Sequence, residues 1–192
     1  MKLGSTMRFG WIIGMFLMAS SLRAASITLT TSDGAGLSSF NTSASWSDSL
    51  APSAGNAYFT GTYVLRTPGT TSNYTFQGDS LQLDSGGTLA FKTGGGGVIT
   101  VNDLRLNGGS IVHYAGTSGN TAYLDGGITV NASSSINASQ GVDNRIIVVN
   151  STMTGAAANS ITIKSSTNPT GIQVYAAIAK ANDANTIFDP GP

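Results

Sequence analysis

Nine side chains could act as acids, bases or cation ligands through a carboxylate, and every one of them is Asp. Four of these, Asp79, Asp84, Asp103 and Asp125, lie in the central third of the chain, beside its repeats. Clustered carboxylates can cut a glycosidic bond as paired acid and base, or hold Ca²⁺. Asp79 and Asp103 sit nearly one repeat apart and could stack within reach of one cation, so they are the candidate metal pair. Each of the four acids also stands beside a turn, and Asp is a turn former. Turn chemistry therefore accounts for them all, and no metal site is assigned.

The other reactive groups are few. His113 is the only histidine and has no acid beside it in sequence, so it is read as structural. There is no cysteine, hence no thiolate nucleophile, no disulfide and no Cys-based metal site. Ser is abundant, but no Ser is paired with an identifiable base. Lys92 and Arg105 are read as solvated face residues. The run Gly94-Gly-Gly-Gly97 lacks the Lys and following helix of a phosphate loop, and the Asp of calcium-binding nonapeptides. N-x-S/T sequons at Asn41, Asn73, Asn131, Asn137 and Asn150 are expected by chance in so Ser-, Thr- and Asn-rich a chain. No catalytic residue and no cofactor is expected.

The elements that would carry these residues repeat. Leu81-Gln-Leu83, Gly86-Gly87 and Leu89 recur as Leu104-Arg-Leu106, Gly108-Gly109 and Ile111, then more weakly as Ile128-Thr-Val130 and Ile136. A fourth unit carries Ile146-Ile-Val-Val149 and Ile161-Thr-Ile163. Spacings of 22 to 25 residues suit one rung of a parallel β-helix. Three inward ladders follow: Leu81, Leu104 and Ile128; Leu83, Leu106 and Val130; Leu89, Ile111 and Ile136. Gln82, Arg105 and Thr129 fall between inward positions and are expected to face solvent. The Gly pairs, and Gly94 to Gly97, are expected at rung corners.

Composition agrees. Ser, Thr, Asn and Gly make up about 45% of the chain, yet 40% is hydrophobic and 9% is charged. Disordered chains lack such burial capacity, whereas a β-rich solenoid needs both turn formers and β-branched residues. Residues 1–24 have the pattern of a secretory signal peptide. Lys2 and Arg8 precede an apolar run from Phe9 to Leu22, too short to span a membrane, and Ala24 and Ala25 offer a cleavage site. Cleavage after Ala24 leaves six basic residues against nine acids, a net charge of −3. That balance argues against nucleic acid or an anionic membrane as partner.

Residues 26–31 alternate as a first strand, and Asp33-Gly34 marks a turn. The non-repetitive segment with Phe40, Trp46, Pro52, Gly55-Asn56 and Tyr58 is read as a cap, its aromatics packed over the open end of the stack. A sugar-stacking platform on Trp46 is the functional alternative. The expected layout is a signal peptide at 1–24, a cap and first rungs at 25–78, β-helix rungs at 79–165 and an irregular tail at 166–192. Ile172-Gln-Val174-Tyr175 is a possible last strand, and the chain is expected to continue into a longer protein.

Phe40-Asn41-Thr42, Ser45-Trp46-Ser47, Pro52-Ser-Ala-Gly55-Asn56, Leu65-Arg66-Thr67-Pro68 and Asp79-Ser80-Leu81 with Gly86-Gly87-Thr88-Leu89 carry a resemblance. Over roughly residues 26–165 the chain resembles the N-terminal region of large exported bacterial proteins with autotransporter-associated β-strand repeats. The resemblance implies a pectin-lyase-like right-handed parallel β-helix. It also implies a secreted or surface passenger of adhesive or structural use, with extracellular glycans or other surface proteins as partners and no shared catalytic residues. The alternative from another class is a carbohydrate-active β-helix, a polysaccharide lyase or hydrolase, or a glycan-binding domain.

Overall fold

The computed structural model describes residues 24–69, 72–92, 96–113, 121–138, 146–164, 172–174 and 185–189. The expected signal peptide therefore lies outside the described residues, apart from Ala24. Every described element is a strand: β1 (Ala25–Thr28), β2 (Asn56–Phe59), β3 (Val64–Arg66), β4 (Tyr74–Thr75), β5 (Ser80–Asp84), β6 (Thr88–Phe91), β7 (Val98–Asn107) and β8 (Ser110–His113). These are followed by β9 (Thr121–Ala132), β10 (Ser134–Asn137), β11 (Ile146–Val149), β12 (Thr152–Gly155), β13 (Ser160–Lys164), β14 (Ile172–Val174) and β15 (Asn185–Asp189).

The strands stack as a parallel β-helix of about four turns. Three strand segments make a full turn. One side stacks β4, the first half of β7, the first half of β9, β11 and β14. A second stacks β1, β2, β5, the second halves of β7 and β9, and β12. The third stacks β3, β6, β8, β10, β13 and β15. All these pairings are parallel, so like residues lie about 4.8 Å apart along the stack.

The inward ladders are the core. Leu81 pairs with Leu104 and Leu104 with Ile128, and the column extends through Tyr58 and Ile27 on one side and Met153 on the other. Leu83, Leu106 and Val130 form the next column. Leu89, Ile111 and Ile136 form the third, extended by Leu65 and Ile163. All of these side chains are buried. Burying each Leu or Ile stabilises the stack by roughly 1.5–3 kcal/mol against leaving it in water.

One side of the helix is not apparent from the repeat. β7 begins at Val98 and turns Ile99 and Val101 inward, and β9 likewise buries Ala122 and Leu124. A bulge lies between: Val101 pairs with Gly126 but Asp103 with Gly127, which leaves Asn102 as an extra residue. That residue shifts the inward parity from Ile99 and Val101 to Leu104 and Leu106 and bends one strand around a corner.

At the next corner the Gly pairs divide two tasks. Gly86 and Gly108 take φ of 84° and 89°, the left-handed region that a side chain disfavours. Gly87 and Gly109 have ordinary φ but no room: a Cβ on Gly109 would lie 2.6 Å from Leu83 Cβ and 2.8 Å from its carbonyl oxygen, in the rung below. The third repeat replaces the pair with Ser133-Ser134. It gains an extra residue instead, because Leu106 pairs with Val130 but Asn107 with Ala132. Of the run from Gly94 to Gly97, Gly96 has φ of 81°, while residues 93–95 lie outside the described residues.

The segment before β2 covers the first rung. Trp46 bridges antiparallel to Leu29, and its ring meets Tyr58 edge-on at 4.8 Å. Phe76 joins Tyr58 and Phe40 at 5.2 Å each. Trp46 is buried and donates its indole N–H to the Ser39 carbonyl at 2.7 Å. It has no open ring face to offer a sugar. Beyond residue 165, the stretch expected to be irregular contributes β14 and β15, which pair in register with β11 and β13.

Candidate functional site

Alternation places a polar column on the outside of the second side. Gln82, Arg105, Thr129 and Thr154 pair in succession and face outward, the first three between buried neighbours and Thr154 after the buried Met153. Asp103 forms an ion pair with Arg105 at 2.6 Å, both side chains partly exposed. The hydrogen bonds that Arg105 donates to Asp103 raise the Arg105 pKa further, against a smaller opposing effect of burial. Arg105 and Asp103 are therefore a closed ion pair beside an otherwise uncharged column.

The column leads into a cleft of about 490 Å³. It opens where β12 ends and the following turn leaves the β9 edge. Thr129, Asn131, Thr154 and Asn159 supply its polar groups, and Gly155 and Ala157 part of its walls. The turn is closed by Asn159 N–H to the Ala156 carbonyl at 2.9 Å, and Asn159 Nδ2 donates to the Val130 carbonyl at 2.9 Å. Among the described residues no charged side chain lines this cleft. Hydroxyls and carboxamides on a shallow wall suit hydrogen bonding to a neutral polyol better than proton transfer.

The acids singled out by sequence are dispersed. Asp79 and Asp103 are one residue out of register, since the pairing of Leu81 with Leu104 sets Ser80 level with Asp103. Their separation of 24 residues spans a rung of 23, and Asp79 lies in the exposed bend just before β5. Asp79 accepts the Gly55 N–H at 2.9 Å, while Asp103 is committed to Arg105. Asp84 accepts from Gln82 Nε2 at 2.6 Å and from the Gly61 N–H at 3.0 Å. Asp125 is exposed and accepts from the next residue's N–H at 2.7 Å. Among the described residues no three His or Asp side chains gather to hold a metal ion. His113 is fully buried in the third side, paired with Phe91.

Asp33, read from sequence only as a turn residue, is the most heavily bonded acid of the cap. It is buried and accepts from Ser39 N–H, Ser39 Oγ, Ser45 Oγ and Arg66 N–H at 2.8, 2.6, 3.2 and 2.9 Å. Nearby, Lys92 Nζ donates to the Leu37 carbonyl at 2.7 Å. Burial lowers the Lys92 pKa, Arg66 lowers it further, and Asp33 opposes them. The folded state thus gives up this proton at lower pH than the unfolded chain, which binds more protons between the two values. Stability contributed at this site rises as pH climbs from the folded-state value to the ordinary lysine value. In urea titrations, wild type gains on Lys92→Met between neutral and alkaline pH; an unchanged midpoint difference contradicts this.

Among the described residues, no helix is long and apolar enough to cross a membrane. No model of a known protein family, no curated protein and no solved structure matches the chain.

Proposed function

We propose that the chain is a non-enzymatic, exported structural or adhesive module. Its stacked rungs act as a stiff rod that presents polar columns to extracellular glycans or surface proteins. The observation that carries this reading is the outward column of Gln82, Arg105, Thr129 and Thr154, held in register by backbone pairing. Such a surface is preorganised, so many weak polar contacts form without the entropic cost of ordering loops. The acids beside it are engaged in hydrogen bonds that build corners and turns. The signal-peptide pattern of residues 1–24 and the resemblance of residues 26–165 support export and a passenger role.

The cleft beside Asn159 favours glycans among these partners and keeps a second reading in play, a carbohydrate-active domain. One screen separates the two. The chain is applied to immobilised pectin, alginate and bacterial surface glycans, and bound protein and released sugar are measured together. Retention without sugar release, weakened about tenfold by Thr129→Lys with Thr154→Lys, is the expected result. Sugar release that survives these substitutions overturns the structural reading.

A further inference from the structure

We propose that the Asp125–Gly126 bond is the chain's site of spontaneous backbone isomerisation. Three places in the sequence put Gly after Asp or Asn: Asp33–Gly34, Asn107–Gly108 and Asp125–Gly126. Gly in this position leaves the following amide nitrogen unhindered, so each is open in principle to attack by that nitrogen on the side-chain carbonyl carbon. An Asn amide is ordinarily the more reactive electrophile. Sequence alone therefore nominates Asn107.

The fold reverses that order. At Asn107 the two reacting groups are drawn apart by neighbouring rungs. The Gly108 N–H donates up to Ser134 Oγ at 3.0 Å, while Asn107 Nδ2 donates down to Asp84 Oδ1 at 3.4 Å. At Asp33 the carboxylate is buried and held by four donors. At Asp125 the same two groups face one another. Gly126 N lies 2.7 Å from Asp125 Oδ1, the side chain is exposed to water, and Gly126 has φ of 110°, outside the strand conformation. The hydrogen bond thus holds the side-chain carboxyl beside the nitrogen that would attack it, and holding the pair together lowers the entropic part of the barrier.

The chemistry balances without a co-reactant. Gly126 N bonds to Asp125 Cγ, and a side-chain hydroxyl leaves as water with the amide proton, closing a succinimide. Water then adds at the main-chain carbonyl carbon of Asp125 and breaks its bond to Gly126 N. The chain now runs through Cγ, with one more methylene at the corner and no net change in mass. That corner has no slack, since Gly126 is packed against the Val101 carbonyl.

Asp125→Asn makes the test direct, because both sites then carry Asn–Gly and deamidation is read as a mass gain. The folded full chain is incubated at neutral pH and mapped by peptide mass spectrometry, beside the same chain in denaturing urea. We expect position 125 to convert at least about tenfold faster than Asn107 when folded, equivalent to about 1.4 kcal/mol in barrier, and the ratio to collapse in urea. Equal folded rates, a faster Asn107, or a ratio that persists in urea overturns the proposal. Wild-type chain aged in mildly acidic buffer gives the second readout. Isoaspartyl methyltransferase should label the Asp125 peptide, and failure to label it while the denatured chain is labelled there overturns the proposal equally.

Discussion

Gly126→Ala destabilises the β-helix by about 3 kcal/mol, which lowers the melting temperature by roughly 10 °C. Two independent costs add at this position. The φ of 110° is a conformation that L-residues rarely adopt. A Cβ there would also lie 2.6 Å from the Val101 carbonyl carbon and closer still to its oxygen. The obstacle is backbone, not the end of a flexible side chain, so it cannot swing aside. Relief requires the β7–β9 pairing to open at the Asn102 bulge, where one long strand on each rung supplies two sides of the helix. Because stacked rungs contact only their neighbours, that opening weakens both adjacent interfaces. Gly36→Ala is the matched control: it has ordinary φ and nothing within 4 Å of the added carbon. Circular-dichroism melts of the two variants check the claim, and melting temperatures within about 1 °C of each other would sink it.

The ladders were legible because a parallel stack repeats one environment. Leu81, Leu104 and Ile128 meet the same inward position, so the same side-chain class recurs at rung spacing, and the register follows from counting. The outward column of Gln82, Arg105 and Thr129 followed from the period of two. What broke that period was hidden. The inward parity of Ile99 and Val101 does not continue into Leu104 and Leu106, because Asn102 is inserted, and a strict alternation stops there. The same arithmetic sets Asp79 only nearly level with Asp103, since a separation of 24 residues crosses a rung of 23 at that point. The cleft was invisible for another reason. Thr129, Asn131, Thr154 and Asn159 are ordinary surface residues in composition, and only the turn through Ala156 and Asn159 makes them converge. Strand β14 matches the last strand read at Ile172-Gln-Val174, whereas β15 was obscured because residues 166–192 carry no Gly-Gly corner to set the phase.

Asp33 is the second position where a large effect is expected, and the order of its variants tests the account of the cap. Asp33 Oδ2 accepts two backbone amides, Ser39 N–H and Arg66 N–H, while Oδ1 accepts two hydroxyls, Ser39 Oγ and Ser45 Oγ. The carboxylate thereby ties the loop under the aromatic cluster to β3. With Asp33→Ala, both amides lose their acceptor in a buried site, and neither can rotate to find another. The expected cost is about 3–5 kcal/mol. Asp33→Asn is milder, about 1–2 kcal/mol. Its carbonyl can take the place of Oδ2, and its NH₂ then faces hydroxyls that can turn and accept. What Asp33→Asn loses is the charge assistance of the bonds, not the bonds themselves. The loosened loop carries Trp46, the one tryptophan outside residues 1–24, whose indole bonds to the Ser39 carbonyl. Its emission should shift to the red in Asp33→Ala before global unfolding and stay near wild type in Asp33→Asn. Urea titrations followed by far-UV circular dichroism and by Trp46 emission give both readings. Equal destabilisation by Ala and Asn would mean that the negative charge, rather than the two amide bonds, holds the cap in place.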